Sequence, residues 1–271
     1  MGYEVKILRD SVSPEGARLT TMEVTLPRIV LAEFNTHRML SRNSASSRAI
    51  PVEKQIERVR ADPFIPISWG KNGKGMQACE ELGETSQEIC RIIWLGARDQ
   101  AVKAATRLLD RGVHKQITNR LLEPFMWHTI IVSATEWENF FALRCHPDAQ
   151  PEIREAAVRM REARDASSPE KLLDHEWHLP LIREDEDLAS YDLDKRCKIS
   201  IGRCARVSYL THDGKRDPDA DIALCDRLRE SGHMSPLEHV ATPEPGRWGN
   251  FVGWKQYRQL VPGESVFGGA A

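Results

Sequence analysis

The chain has 271 residues, ample to bury a core as one large domain or two small ones. Lys and Arg number 38 against 40 Asp and Glu, a formal net charge of −2, so no global basic field recruits nucleic acid or an anionic membrane. The opening MGYEVKILRD lacks the apolar run of a signal peptide, no stretch is apolar for long enough to span a bilayer, and the six cysteines form no CxxC pair, which together predict a globular cytosolic protein with reduced thiols.

RLTTMEVTLPRIVLAEF (18–34) alternates and then turns continuously apolar. That pattern predicts a strand through Met22, Val24 and Leu26 and a helix from Pro27 into Phe34. After a Ser/Arg-rich stretch, Pro51 predicts the start of a helix through Val59. Residues 61–75, with Pro63 and Pro66, read as a loop. The longest helical signal runs over 77–111, where Ile89, Ile92, Ile93, Ala97, Ala101, Ala105, Leu108 and Leu109 recur at three- and four-residue steps and Gly112 closes it.

A short helix over 114–122 stops before Pro124, and FMWHTIIVSAT reads as a buried strand or apolar connector. TEWENFFALRC begins like a capping box, Thr135 followed by Glu138. PEIREAAVRMREAR is an amphipathic helix opened by Pro151. Residues 164–196 are polar and irregular, an insertion or connector within a single 1–271 domain. CKISIGRCARVSYL alternates like a strand, DPDADIALCDRLRESGH reads as a helix ending at Gly232, and GNFVGWKQYRQL as another helix. With no solenoid repeat, the element pattern predicts an α+β domain.

Chemistry concentrates in FNTHRMLSRNSASSRA (34–49), which holds Arg38, Arg42 and Arg48 with Ser41, Ser44, Ser46 and Ser47. Planar guanidinium forks grip phosphate or a planar carbonyl system in two places, and hydroxyls fill the remaining sites. A solvated Ser/Arg loop is the plainer reading, and an RNA-binding loop lacks the aromatic residues it would stack on. GHMSPLEH places His233, Ser235, Glu238 and His239 within seven residues. Ser235 as N-cap, Pro236 as first helical residue and Glu238 as third explain three of its positions structurally, but not His233. Arg144 ends a helix beside an apolar face, where snorkelling is the structural account. In DHEWH, His175 and His178 stand three apart without a third ligand, so no metal site is predicted.

Taken together these motifs resemble the flavin-dependent thymidylate synthases. That family is marked by Arg-His-Arg, seven residues, then Ser; Thr36, His37, Arg38 and Ser46 stand in that spacing, with Arg48 two residues on. LRCHPDAQPEI (143–153) is similar to the family's downstream signature, Asn139 precedes Arg144 by five residues, and NRLLEP sets Arg120 in a phosphate-binding position. CARVSY and GHMSPLEH resemble elements that precede the central motifs in the family but follow them here. The likeness is therefore to a circular permutation covering most of 18–155 and 195–243. EHVATP and GNFVGWKQYRQL also resemble the strand and helix that lead into Arg-His-Arg. Two segments thus compete for one slot, and Arg258 competes with Thr36 for the first arginine.

The resemblance implies a small, mainly antiparallel sheet packed with long helices, and methylation of dUMP at C5 to dTMP. Methylenetetrahydrofolate would supply the carbon, FAD would carry it with the reducing hydride, and NADPH would reduce the flavin. By position, Arg144, Ser46 and His233 are the implied catalytic residues, and Ser46, Arg48, Arg120 and Arg144 the substrate-binding ones. His37, Arg38, Asn139, Ser208, Ser235 and Glu238 would line the FAD site, with sites shared in a homotetramer that binds a deoxypyrimidine monophosphate and folate. Thr36, Ser44, Glu33, Ser133 and Thr135 depart from the family pattern. Those departures leave a dUMP or dCMP hydroxymethylase and a non-catalytic nucleotide-binding homologue as alternatives.

Overall fold

The computed structural model describes residues 2–78, 80–183, 185–207 and 216–264. Strand β2 (Arg18–Pro27) is the centre of the sheet, and its apolar residues are buried on both faces. It pairs antiparallel with β1 (Glu4–Val12) on one side and with β4 (Trp127–Ala134) on the other. β3 (Ser41–Ser44) pairs antiparallel with β4, Ser41 opposite Ser133. The two-residue β5 (Glu170–Lys171) runs parallel to β1 and completes the order β3-β4-β2-β1-β5.

One face of the sheet carries the main core. Met22, Val24, Leu26, Ile130 and Val132 pack against Phe34, Trp137, Phe140 and the long helix α6 (Pro151–Ala166). Pro151 opens α6, and Ile153, Ala156, Ala157 and Met160 form the i, i+3, i+4, i+7 stripe that buries it. The predicted strand-to-helix passage at Pro27 is present as a short 3₁₀ turn (Arg28–Val30) leading into α1 (Leu31–Phe34). A second apolar cluster joins α2 (Val52–Ala61) to α3 (Glu84–Asp110) and to the 3₁₀ segment Asn119–Phe125, into which the short α4 (Lys115–Thr118) runs. α3 starts at Glu84 rather than residue 77, because the 62–83 loop closes on itself through a bridge between Gly70 and Glu81.

Two periodicity readings fail. CKISIGRCARVSYL is not a strand; its described part lies in α7 (Leu193–Ala205), capped by Asp192, whose side chain accepts from the Lys195 N–H. Lys198, Ser200 and Gly202 alternate with Cys197, Ile199 and Ile201 and so imitate a strand, while the fold buries polar Ser200 on the Pro180 carbonyl and Arg203 on Glu186 and Asp221. The tail is not a helix but the hairpin β6 (Ala241–Trp248) and β7 (Phe251–Gln256), turned by Gly249 at φ 64°, before a 3₁₀ turn (Tyr257–Leu260). Of the two competing segments, β2 lies in the main sheet and leads into α1, whereas β6–β7 stands as a separate two-stranded sheet.

The predicted capping box is also absent. α5 (Glu138–Arg144) starts after Trp137, and the Thr135 hydroxyl instead accepts from the Val252 N–H of the hairpin. The 164–196 segment threads across the sheet, and His178 exchanges backbone hydrogen bonds with Ala241 of β6. Its ring joins a buried chain of hydrogen bonds, Ser11–His178–Thr21–Ser133–His239, that fastens segment and hairpin to the sheet. Cys90, Cys145, Cys197, Cys204 and Cys225 are free thiols, and no described helix is long and apolar enough to cross a membrane.

Candidate functional site

α1 ends at Phe34, and the chain turns through Thr36–Arg38 before entering β3. Thr36, where the family motif has arginine, donates its hydroxyl to the Glu33 carbonyl (2.7 Å) and closes the turn. His37 points inward, buried edge-on against the Phe140 ring, their centroids 4.9 Å apart. There its Nε2 accepts the Nε–H of Arg144, the last residue of α5, at 2.8 Å. Because guanidinium can only donate, Nε2 carries no proton and the imidazole holds its hydrogen on Nδ1. Burial, then the Arg144 and Arg42 charges, push the His37 pKa below the ordinary histidine value.

Arg42 locks the turn from behind. Its Nη1 donates to the carbonyls of Asn35 (2.9 Å) and His37 (2.9 Å), and more distantly to Phe34 (3.4 Å). These carbonyls end α1 and the turn after it; Phe34 and His37 also accept from the His37 and Leu40 N–H groups, and the guanidinium adds a charged donor to all three. Burial lowers the Arg42 pKa, and the nearby Glu238 carboxylate works against that shift. Glu238 is ion-paired with Arg258, which also bonds Glu264 (2.8 Å). A line of charged and polar groups thus runs Arg144–His37–Arg42, with Glu238 and Arg258 beyond, through four separate parts of the chain.

GHMSPLEH approaches β3 from the other side. Ser235 begins a 3₁₀ turn (Ser235–Glu238) but does not cap it; its hydroxyl donates to Asn43 Oδ1 (3.3 Å), while Asn43 Nδ2 donates to the Cys204 carbonyl (2.7 Å). The reading of Ser235 as an N-cap is thereby corrected, since β3 offers it a partner across the fold.

Beside His37 lies a cavity of about 390 Å³, lined among others by Arg38, Met39, Asn139, Phe140 and Arg247. Arg38, Asn139 and Arg247 are exposed at its edge, and Arg247 bonds Glu136 at 3.1 Å. Arg42 and Arg247 were missed as site residues by sequence reasoning. Arg42 lay in the Ser/Arg stretch, but Arg247 sits on the hairpin and carried no local signal.

The remaining predicted residues lie elsewhere. Ser46 and Arg48 are on the turn after β3, Ser46 half-buried and Arg48 exposed. Glu123 accepts from neighbouring Ser47 (3.1 Å) and from Arg120 (2.7 Å), with Arg28 at 3.4 Å. Arg28, Leu31, Asn35 and Arg120 line a separate open cavity there. His233 is exposed at the end of α8 (Pro218–Glu230), bonded to Ser231 (3.0 Å), and reaches none of the others within this chain. Ser208 lies outside the described residues. Ser133 and Thr135, which depart from the family pattern, are held by His239 and by the hairpin respectively.

The family model described as thymidylate synthase complementing protein matches residues 14–170. Among solved structures, the chain is similar to a UMP/dUMP methylase, PolB from Streptomyces cacaoi, bound with 5-Br UMP, at 17% identity and a TM-score of 0.51. That likeness covers 59% of this chain and 88% of the other. The same enzyme bound with 5-Br dUMP matches at 17% identity and a TM-score of 0.49, over 59% and 89%. No curated protein matches by sequence. The structural likeness shows a shared fold. The family match covers more than half of the chain and contains the His37, Arg38, Asn139 and Arg144 motifs, and the chain belongs to the thymidylate synthase complementing protein family, that of the flavin-dependent thymidylate synthases.

Proposed function

We propose that this protein transfers a one-carbon unit to C5 of a pyrimidine nucleoside monophosphate, dUMP to dTMP, with FAD as cofactor, methylenetetrahydrofolate as carbon donor and NADPH as reductant. One observation carries the reading: Arg144 and His37, from two motifs far apart in sequence, meet at 2.8 Å beside a cavity edged by Arg38 and Asn139.

That cavity suits part of a flavin dinucleotide. Arg38 and Arg247 offer guanidinium groups to phosphate oxygens, Asn139 offers an amide, and Met39 and Phe140 give an apolar wall. At about 390 Å³ it would take one half of such a ligand, leaving the rest for the outer surface or another subunit. This favours a homotetramer with shared sites, to which the exposed His233 and Arg48 would contribute across subunits. Ser235 and Glu238 would support the cofactor side through β3. Flavin, when bound, supplies the hydride and carries the carbon.

Arg144 spends its Nε–H on His37 and keeps its terminal N–H groups for a ligand. Donated to a pyrimidine carbonyl, they would draw electron density from the ring, make C6 more electrophilic and stabilise charge as C5 reacts. Neutral His37 fixes the plane of that guanidinium without adding charge. Ser46, Arg48 and Arg120 would hold the nucleotide, Arg120 exchanging Glu123 for phosphate.

The deciding experiment incubates the full chain with FAD, NADPH, methylenetetrahydrofolate and, in turn, dUMP, UMP and dCMP, and weighs the nucleotide product. UMP is included because the PolB structure holds a UMP analogue. A methyl gain on dUMP supports the reading, and Arg144→Ala abolishes it. A hydroxymethyl gain or a dCMP product replaces it with the hydroxymethylase alternative, and binding without transfer with the non-catalytic one.

A further inference from the structure

The β6–β7 hairpin lies outside residues 14–170, the stretch that carries the family match, yet it grips both lips of the His37 cavity. On one lip stand Arg38, Met39 and Leu40, and Asn250, just past the Gly249 turn, donates its Nδ2–H to the Met39 carbonyl (3.0 Å). A carbonyl can only accept, so the Asn250 amide is fixed with its nitrogen toward Met39 and its oxygen toward Gln256. Gln256 of β7 donates to that oxygen (2.9 Å) and to the Ser41 hydroxyl (3.1 Å), which also accepts from Asn250 Nδ2 (3.0 Å). Ser41 and Gln256 are buried, so water does not compete for these bonds. On the other lip, the Val252 N–H donates to the Thr135 hydroxyl (3.0 Å) and Arg247 to Glu136 (3.1 Å).

Gly249 makes this grip possible. Its φ of 64° is left-handed, and a Cβ there would stand 3.0 Å from Gln256 Oε1 and 3.3 Å from Gln259 Nε2. The tight turn thus sets Asn250 and Gln256 side by side against residues 39–41. Arg42 holds the carbonyls of Phe34, Asn35 and His37, and Asn250 holds that of Met39. The turn that carries His37 is therefore fixed from both of its ends. We infer that Asn250, backed by Gln256, is a positioning residue: through the Met39 carbonyl it keeps His37 aimed at Arg144, and the hairpin sets the width of the cavity between its two lips. The inference deepens the proposed function, because it rests on the reading of that cavity as the flavin site.

The test uses the full chain labelled with ¹⁵N-histidine, its His37 ring signals assigned by His37→Gln. In the parent, Nε2 gives the resonance of a bare nitrogen and Nδ1 that of a protonated one. Asn250→Ala moves both toward the averaged positions of a free neutral imidazole, which exchanges between tautomers. Thr242→Val removes a hairpin bond to the Glu176 carbonyl (2.9 Å), away from the cavity, and leaves both signals in place. A merely structural hairpin lowers Tm in the two variants alike and leaves the His37 spectrum unmoved. FAD binding, followed by flavin fluorescence, weakens about two- to tenfold in Asn250→Ala, the loss of one neutral hydrogen bond. The inference is overturned if the His37 signals of Asn250→Ala coincide with those of the parent, or if Thr242→Val moves them as far. Should Asn250→Ala fail to fold, Asn250→Asp, equal in size but without the donor to Met39, takes its place. An unchanged Nε2 signal in that variant overturns the inference as well. A parent that binds no FAD overturns the function proposed above, and the His37 spectrum then judges the hairpin alone.

Discussion

Arg144 and His37 share one hydrogen bond of 2.8 Å, although 107 residues separate them in sequence. The bond requires an unprotonated Nε2, so the protein must keep His37 neutral. Burial does most of this, and the flanking Arg144 and Arg42 charges add to it.

His37→Ala removes the acceptor that orients Arg144. Hydrogen bonds to charged groups are worth about 1.5–3 kcal/mol, so under the proposed function dUMP binding weakens about tenfold or more. Calorimetric titration measures this, and His37→Gln, which can still accept, restores part of it. Unchanged affinity in His37→Ala would mean that Arg144 does not hold the nucleotide.

Arg42→Leu removes the donor to the carbonyls that end α1. The expected cost is about 2–3 kcal/mol, a fall in Tm of several degrees for a chain of this size. Arg42→Lys rescues little, because a point charge on a flexible stem does not reproduce the planar fork. A thermal melt within one degree of the parent for Arg42→Leu contradicts the capping role.

Stability falls steeply in mild acid. Burial pushes His128 and His239 down to about 3 and His178 well below its ordinary value. The unfolded chain takes up those protons near pH 6.5, and the folded chain does not. Stability is therefore full above about pH 6.5 and is lost progressively as pH falls toward 3, at about 1.4 kcal/mol per pH unit for each histidine. Urea unfolding at pH 7, 6 and 5 measures the slope. A midpoint that stays constant over that range is the contrary result.

Gly202→Ala disrupts the packing of α7 on α8. A Cβ at that position would sit 2.3 Å from the Asp221 carbonyl oxygen and 2.8 Å from its carbon, and backbone cannot step aside cheaply. Overpacking of this kind costs about 1–3 kcal/mol. The loss is expected at the upper end and is read as a lowered denaturation midpoint; a neutral substitution would show that the two helices can separate.

The local pattern of the sequence was enough for several elements. Alternation through Met22, Val24 and Leu26 marked the central strand, Pro151 and the apolar stripe behind it marked α6, and Gly232 closes α8 at φ 74°. Each depends on contacts within a few residues. The motif spacing around His37, Arg38, Asn139 and Arg144 likewise singled out residues that the fold brings together at one cavity or its border.

Tertiary structure decided the rest. CKISIGRCARV alternates locally like a strand, yet it forms a helix in which the fold buries polar Ser200 and Arg203 against the Pro180 carbonyl and against Glu186 and Asp221. The tail became a hairpin whose Val252 N–H takes the Thr135 hydroxyl that the local pattern had assigned to a helix cap. Arg247 acquires its role only through groups distant in sequence, Glu136 and the rim of the His37 cavity. A sequence specifies which groups can donate, accept or avoid water within a turn or two. Which distant groups they meet depends on how whole elements pack, and that is a property of the folded chain alone.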